Sequence, residues 1–251
     1  GELAPQLTVE ARSTATSSST STTTTSTTLA PTSSSTSTST STTLGQTTTL
    51  GPTTTTPAPV PGSGDPTIAA AGDIACDSST PGATTCHQAA TADLLAAGNF
   101  TAVLGLGDHQ YPSGALADFN AYYDPTWGRV KAKTYPAPGN HEYQTSGAAG
   151  YFAYFGDRAG PAGRGYYSFN VGSWHVISLN SEVSTAAGSP QETWLKADLA
   201  ANSQRCTLAY WHKPLFSSGP HGNTSSVKPL WDALYAADAE VVLAGHDHDY
   251  E

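Results

Sequence analysis

The pattern of hydrophobic and polar residues changes at Thr67, after which short apolar runs alternate with amphipathic stretches. Two apolar runs, Thr67–Ala71 and Ala102–Leu106, are each followed by Gly-Asp, and such short runs are typical of buried β-strands. Residues 166–180 alternate in character around a VGS turn, which predicts a β-hairpin. Further strands are predicted at residues 135–138, 206–211 and 241–244.

Amphipathic segments between these runs predict helices. Three are predicted at residues 87–97, 115–127 and 227–237, and a fourth begins after Ser189. The first places Ala90, Leu94 and Ala97 on one helical face. Ser189 is predicted to cap the fourth helix, with Glu192 completing a capping box. This alternation of strands and helices predicts an α/β fold, in which functional residues gather beyond the C-terminal ends of strands.

The N-terminal part of the chain has a different composition. Residues from about 13 to 56 are nearly all Ser and Thr, with too little apolar surface to offset the entropy lost on ordering. A Pro-rich bridge follows, so residues 1–66 are predicted to form a disordered linker with the composition of an O-glycosylated stalk. A stalk predicts an additional domain on its N-terminal side. Residues 67–251 have the length of one globular domain, and we expect the chain to be a fragment of a longer precursor, truncated at its C-terminus.

Charge and hydropathy exclude two classes of protein. The net charge of −10 and the pI near 5.1 argue against a protein that binds nucleic-acid backbones, because such proteins need a basic surface. No apolar run approaches the roughly 20 residues that a membrane-spanning helix requires. An acidic chain that acts on anionic phosphate must obtain positive charge elsewhere, and metal ions are one source.

The chain contains three cysteines, Cys76, Cys86 and Cys206. Cys76 and Cys86 flank a short loop with Pro and Gly, and they either close a small disulfide ring or remain two free buried thiols. We favour the disulfide, because the Ser/Thr-rich segment already indicates a secreted or cell-surface protein. Cys206 then has no partner in this sequence.

Polar residues of the metal-ligand type follow five of the predicted strands. They are Asp73; Asp108 with Tyr111; Asn140 with His141 and Glu142; His212; and His246 with His248. Taken singly, each has an ordinary explanation, since a Gly-Asp after a strand usually forms a turn and a lone His is often structural. Their occurrence together at the strand ends of one domain predicts a metal centre.

Five short motifs carry a resemblance to a known family. They are GDIA at 72–75, GDHQY at 107–111, GNHE at 139–142, WH at 211–212 and GHDH at 245–248. In this order they resemble the calcineurin-like metallophosphoesterases, and Tyr111 makes the sequence most similar to the purple acid phosphatase branch. The resemblance covers the chain from Thr67 onward and implies a β-sandwich of two mixed sheets flanked by helices.

The resemblance also implies a role for each residue of these motifs. Asp73, Tyr111 and His248 would bind a first metal ion, Asn140, His212 and His246 a second, and Asp108 would bridge both. His141 would contact the phosphate and the leaving group. His221, in a loop after His212, would face the substrate, although a loop histidine is commonly just solvated. For Tyr111 the alternative is an aromatic residue packed in the core, and His109 has a structural role as an alternative to a substrate contact.

The implied activity is hydrolysis of phosphate monoesters by a dinuclear centre with a metal-bound hydroxide as the nucleophile. A phenolate ligand favours Fe(III) at the Tyr111 site, with Fe, Zn or Mn at the other. Glu142 or another carboxylate is a candidate for orienting His141. Two alternatives stay open: a phosphodiesterase or nucleotidase on the same site, and a non-catalytic binding module displayed on a stalk.

Overall fold

The computed structural model describes residues 66–77, 79, 86–161 and 163–249, together with the backbone of residues 8–11. The strands are β1 (Thr8–Ala11), β2 (Thr67–Ala71), β3 (Ala102–Leu106), β4 (Thr134–Ala137), β5 (Tyr167–Val171), β6 (Trp174–Ser178), β7 (Cys206–Tyr210) and β8 (Val241–Leu243). The α-helices are α1 (Gln88–Ala97), α2 (Leu116–Asp118), α3 (Ala149–Phe155), α4 (Pro190–Ala201) and α5 (Lys228–Ala236). A π-helical turn spans Phe119–Tyr123, and 3-10 turns span Trp127–Lys133, Glu142–Gln144, Ser146–Ala148, Gly156–Ala159 and Ser225–Val227.

The strands form two sheets of four, in the orders β1-β2-β3-β4 and β5-β6-β7-β8. The predicted α/β fold, two sheets with flanking helices, is confirmed. Among the described strands the first sheet is parallel throughout, and only the second is mixed, because β5 and β6 form an antiparallel pair. That pair is the predicted hairpin, in which a two-residue connection suffices; the parallel strands are joined by longer crossovers.

The hydrophobic core has three layers around the two sheets. The central layer lies between the sheets and includes Leu104 of β3 and Leu208 and Tyr210 of β7. Side chains alternate along β7, so the neighbouring Ala209 faces the helices that cover the second sheet. Aromatic residues of the segment after α2, with those of α3, cover the opposite face of the first sheet. Residues 66–249, as far as they are described, therefore form four layers in the order helices, sheet, sheet, helices.

Ala90, Leu94 and Ala97 share one face of α1, but that face is not the one that packs against the core. Ala92 and Leu95 are buried, whereas Ala90, Leu94 and Ala97 are exposed. The helix is alanine-rich and apolar almost all round, so its sequence does not distinguish one face from another. The contact with β2 and with the segment after α2 decides which side is buried.

The linker prediction for residues 1–66 falls almost entirely outside the described residues. Within them, Thr8–Ala11 forms β1 and pairs in parallel with β2, with Thr8 opposite Thr67. These four residues lie within the predicted linker, and in the structure they extend the first sheet by one strand. The prediction rests on Ser/Thr composition, and residues 8–11 lie before the Ser/Thr-rich tract.

Two local predictions are confirmed. Cys76 and Cys86 form a disulfide, and Cys206 is a free, buried thiol. Ser189 caps α4, where its Oγ accepts a hydrogen bond from the backbone N–H of Glu192 at 3.2 Å. The Glu192 carboxylate reaches back one residue further than a capping box requires, to the N–H of Gly188 at 3.1 Å. Among the described helices, none combines the length and the apolar composition needed to cross a membrane.

Candidate metal centre

All seven predicted metal ligands lie just beyond the C-terminal ends of five strands. In the first sheet these are Asp73 after β2, Asp108 and Tyr111 after β3, and Asn140 after β4; in the second they are His212 after β7 and His246 and His248 after β8. Strands β2 to β4 run parallel, as do β7 and β8, so their ends lie on one edge of each sheet. Contacts between these residues join the two sheets.

A first group of side chains surrounds the hydroxyl of Tyr111. This hydroxyl donates a hydrogen bond to Oδ1 of Asp73 at 2.8 Å and lies 3.1 Å from Nε2 of His248. The same Asp73 oxygen is 3.3 Å from Nε2 of His248. Three donor atoms of different chemistry therefore converge on one point.

A second group surrounds Nε2 of His212, a residue with no exposed surface. This nitrogen lies 3.1 Å from Oδ1 of Asn140 and 3.2 Å from Nδ1 of His246. The other ring nitrogen of His212, Nδ1, lies 2.8 Å from the carbonyl oxygen of Leu106 at the end of β3. An N–H at Nδ1 donates to that carbonyl and fixes the ring with Nε2 facing Asn140 and His246, as is usual for metal-binding histidines.

Asp108 lies between the two groups. Its Oδ2 is 3.3 Å from the Tyr111 hydroxyl on one side and 3.1 Å from Nε2 of His212 on the other. Asp108, His212 and His246 can each offer one ligand atom such that all three atoms lie within 4.8 Å of one another. One carboxylate thus belongs to both groups, as a bridging ligand must.

Three of these residues have strained backbones. Asp73, Asp108 and His246 have φ angles of 57°, 47° and 78°, in the left-handed region that non-glycine residues rarely adopt. Each follows a strand end directly after a glycine. Strain of this kind typically costs about 1–3 kcal/mol per residue and concentrates at functional sites. The fold therefore holds these three residues in a backbone conformation that non-glycine residues disfavour.

The glycines of the motifs permit close approach. A Cβ on Gly139 would overlap the carboxylate and backbone nitrogen of Asp108, and one on Gly107 would overlap the ring of His212. Gly107 also has a φ of 90°. The loops after β3, β4 and β7 can therefore pack against one another only if these two positions carry no side chain.

Glu142 does not orient His141, which corrects the role considered for it above. Its side chain is completely buried, and both carboxylate oxygens accept hydrogen bonds from backbone N–H groups. The donors are Asp108 at 3.0 Å, His109 at 2.8 Å, Gln110 at 3.2 Å and Gly139 at 2.8 Å. Glu142 thus fastens the loop after β3 to the loop after β4. The sequence contains no signal for this role, because the four donors are backbone groups.

Burial and neighbouring charge shift the pKa values within the centre. Burial alone would raise the pKa of Asp108, but its hydrogen bond with His212 and the charge of that ring hold the pKa at about 2. Burial lowers the pKa of His212, and Asp108 more than offsets this and raises it to about 9. Burial, followed by the charges of Asp73 and Asp108, raises the pKa of Tyr111 far above its ordinary value. A phenolate at Tyr111 therefore requires a cation beside it.

The two predicted substrate residues lie at the rim of the centre. The half-buried ring of His141 packs on the ring of Tyr111 at 4.3 Å between centroids, and its Nε2 is 3.9 Å from Oδ2 of Asp108. Its Nδ1 contacts the carbonyl oxygen of Pro112. His221 is exposed and stacks on the ring of His246 at 4.3 Å. Both rings thus contact proposed ligands without belonging to either group.

His109 has the structural role that the sequence left open. The residue is completely buried, and its Nε2 lies 2.9 Å from the carbonyl oxygen of Ala137 at the end of β4. Its ring packs against the rings of Tyr123, Tyr151 and Phe155. Burial lowers its pKa to about 4, so the ring is neutral at pH 7. His109 faces the core and is withdrawn from any substrate.

The calcineurin-like phosphoesterase family model matches residues 66–250, which include all of these loops. The chain belongs to the calcineurin-like phosphoesterase family. One curated relative is purple acid phosphatase 18 of Arabidopsis thaliana, which is 34% identical over 34% of this chain and 21% of its own length. Another is purple acid phosphatase 23 of the same organism, which is 30% identical over 50% of this chain and 31% of its own length. These matches place it in the purple acid phosphatase-like branch of the family. The chain spans only a fifth to a third of the length of these relatives.

Two solved structures share the fold of this phosphoesterase domain. A purple acid phosphatase from yellow lupin (Lupinus luteus) seeds superposes with a TM-score of 0.55 at 17% identity, over 74% of this chain and 39% of the lupin chain. GAP50, described as the anchor in the inner membrane complex of Plasmodium, superposes with a TM-score of 0.53 at 15% identity, over 72% and 65%. At these identities the similarity concerns the fold alone.

Replacing Glu142 tests the fastening of the two loops. We expect Glu142→Gln to lower metal affinity by about 10–100-fold, because a group that supports a ligand is lost. The free energy of unfolding should also fall, by about 1–3 kcal/mol, since the amide NH₂ would face backbone donors. Competition with a chelator and urea unfolding would measure the two quantities.

The matched control is Asp157→Asn, the same change of carboxylate to amide at an exposed position. It should leave both quantities unchanged. A Glu142→Gln protein with the metal affinity and stability of the wild type would contradict the role assigned to this carboxylate.

The Asp108–His212 pair predicts that metal binding releases a proton. The raised pKa of His212 stabilises the metal-free protein below pH 6.5, and this contribution is lost as the pH rises through about 9. The lowered pKa of Asp108 stabilises it above pH 3.8, and this contribution is lost as the pH falls through about 2. At pH 7 the His212 ring is therefore protonated, and a metal ion must displace that proton. Zinc affinity should rise with pH up to about 9.

Calorimetric titration of zinc in buffers of different ionisation enthalpy would count the released protons. The Tyr111→Phe variant removes the phenol proton, so the remaining count reports on His212 and His248, the two proposed ligands whose pKa values are raised. We expect at least one proton at pH 7 and fewer above pH 9. A count that does not change with pH would show that His212 is not the group displaced.

Proposed function

We propose that this domain hydrolyses phosphate monoesters with a dinuclear metal centre. The observation that carries the proposal is the position of Asp108, whose Oδ2 lies 3.3 Å from the Tyr111 hydroxyl and 3.1 Å from Nε2 of His212. A carboxylate shared by two donor groups suits two neighbouring cations. The names of the purple acid phosphatase relatives support the choice of phosphate esters as substrates.

In this proposal each metal ion has its own ligand set. The first ion would be held by Asp73, Tyr111 and His248, the second by Asn140, His212 and His246, and Asp108 would belong to both sets. Carboxylate, amide and phenol oxygens with imidazole nitrogens suit Fe, Mn and Zn. We assign Fe(III) to the Tyr111 site, because a trivalent ion best offsets the raised pKa of a phenol between two carboxylates. The second ion is Fe, Zn or Mn.

The side chains divide the chemistry among them. Two bound metal ions would supply positive charge to the phosphate oxygens and would lower the pKa of the attacking water. His141, at the rim and 3.9 Å from Oδ2 of Asp108, donates a proton to the leaving alkoxide, a contribution typically of about 10²–10⁴-fold. His221, whose ring stacks on His246, binds the phosphate beside the second ligand set.

The disulfide and the Ser/Thr-rich composition support a secreted or cell-surface location. Disulfides persist in oxidising compartments, and Cys76–Cys86 closes a loop directly after Asp73. We therefore propose that the domain acts outside the cell, on substrates that reach it there.

A second candidate function is a non-catalytic binding module. It is favoured by the shared fold of GAP50, which is described as an anchor. Fold does not imply activity, so the two functions must be separated by the site itself. The binding module requires neither two metal ions nor turnover.

Loss of a ligand tests the hydrolase directly. We expect Asp108→Asn and His246→Ala to reduce turnover of a chromogenic phosphomonoester by at least about 100-fold, because the first removes the charge shared by both metal sites and the second removes a ligand of one site. Steady-state kinetics on the full chain, with metal content measured in parallel, would show the loss. A panel of monoesters and diesters would reveal which class the wild type prefers.

The matched controls are Asp93→Asn and His87→Ala, which make the same changes at exposed positions on and before α1. Both should retain wild-type turnover. Ligand variants that kept wild-type turnover would refute the dinuclear mechanism, whereas a wild type that turns over diesters alone would favour the phosphodiesterase.

Elemental analysis with a visible spectrum tests the metal assignment. We expect about two equivalents of bound metal, one of them iron, and a charge-transfer band in the visible range from the Tyr111 phenolate. Tyr111→Phe should abolish the band while the second metal ion remains bound. Less than about one equivalent of metal in the wild type would favour the binding module; two equivalents without the band would exclude Fe(III) at Tyr111.

A further inference from the structure

Asp247 lies between the proposed ligands His246 and His248, yet its side chain belongs to neither ligand group. It is 6% exposed, and its carboxylate contacts the loop of residues 217–223, which we call the His221 loop. Oδ1 accepts a hydrogen bond from the backbone N–H of His221 at 2.8 Å. Oδ2 accepts a short hydrogen bond from the hydroxyl of Ser217. One buried carboxylate thus holds the loop at two points.

The His221 loop is closed around this carboxylate by its own hydrogen bonds. The Ser217 hydroxyl also accepts from the N–H of Gly219 at 3.0 Å, and the N–H of Ser217 donates to Oδ1 of Asn223 at 2.8 Å. A Cβ on Gly219 would overlap the Asp247 side chain, so the loop passes as close to the carboxylate as its backbone allows. The bond to His221 is therefore part of a connected arrangement.

This arrangement determines where the His221 ring lies. The ring is exposed, and it stacks on the ring of His246 at 4.3 Å between centroids. Asp247 fixes the backbone of His221, and His246, the residue before Asp247, provides the surface on which the ring stacks. The same short segment therefore supplies a proposed metal ligand and the anchor of the substrate-facing histidine.

We propose that Asp247 is a positioning residue that holds His221 over the metal centre for phosphate binding. It acts through His221 and does not touch the reacting atoms. The proposal has a structural part, the anchoring of the His221 loop, and a part that rests on the proposed function, the contribution of that anchoring to phosphate affinity. The two parts have separate readouts.

Hydrogen–deuterium exchange on the metal-loaded full chain tests the structural part. Ser217→Ala removes one anchor without altering the ligand segment, and Asp247→Ala removes both. We expect exchange of the His221 loop to accelerate by about threefold to tenfold in Ser217→Ala and more in Asp247→Ala. Asp247→Asn should restore slow exchange, because its amide can accept from His221 and donate to Ser217. Ser225→Ala, the same substitution at an exposed serine just past the loop, should match the wild type.

The affinity for inorganic phosphate, measured by calorimetry, tests the second part. Ser217→Ala should weaken phosphate binding by about threefold to tenfold and raise KM similarly, with kcat and metal content almost unchanged. In a His221→Ala background the same substitution should have no further effect, because the anchor acts only through that ring. If Ser217 had only a general structural role, its substitution would weaken phosphate binding in the His221→Ala background as well.

Each outcome decides one part. Wild-type exchange in both Ser217→Ala and Asp247→Ala would overturn the anchoring, and a Ser217→Ala penalty of equal size without His221 would overturn the action through His221. If the wild type hydrolyses no phosphate ester, but its loop exchange and phosphate affinity respond as expected, the proposed function fails and the positioning role stands. If the wild type hydrolyses phosphate esters normally but exchange of the His221 loop does not change in the variants, the proposed function stands and the positioning role fails.

Discussion

The buried carboxylate of Glu142 is the interaction on which the arrangement of the centre depends. Its two oxygens receive four backbone N–H groups, three from the loop after β3 and one from the loop after β4. Burial and the charge of Asp108 raise the pKa of Glu142 to about 8, whereas the amides of Gly139 and Gln110 favour its ionised form. Without these donors a carboxylate could not be buried beside Asp108, and without the carboxylate four N–H groups would lose their acceptor.

Side-chain contacts between the loops explain how strained residues are held. Asp73, Asp108 and His246 each keep a positive φ directly beyond a strand, and each of their side chains contacts another loop of the centre. The Asp73 carboxylate also accepts the backbone N–H of His246 at 3.0 Å, across the two sheets. Local strain at one loop is therefore offset by hydrogen bonds made to a different loop, and the centre forms only when both sheets are assembled.

The sequence predicts the elements of this fold better than it predicts their contacts. Strands β2 and β3 coincide with their predicted bounds, because each is a short apolar run ended by Gly-Asp. The ligand positions follow from the same feature, since the ends of parallel strands lie at one edge of a sheet. The buried face of α1 could not be predicted, because an alanine-rich helix offers two almost equally apolar faces. The contacts of Glu142 and Asp247 could not be predicted for another reason. Glu142 accepts hydrogen bonds from backbone amides, which every sequence contains, and Asp247 contacts a backbone amide and a serine hydroxyl about 30 residues away in the sequence.

The charges around the centre support a requirement for bound cations. Asp73 and Asp108 bring two carboxylates together around the Tyr111 hydroxyl, in a chain of net charge −10. The basic side chain that follows His212, Lys213, is already paired with Glu182 at 2.7 Å. A phosphate ester approaching this site would meet net negative charge, and protonation of His212 alone offsets only one carboxylate. Two metal ions would make the net charge of the site positive. The strained loops, which contact one another, would then hold the seven proposed ligands in place before any ion or substrate binds.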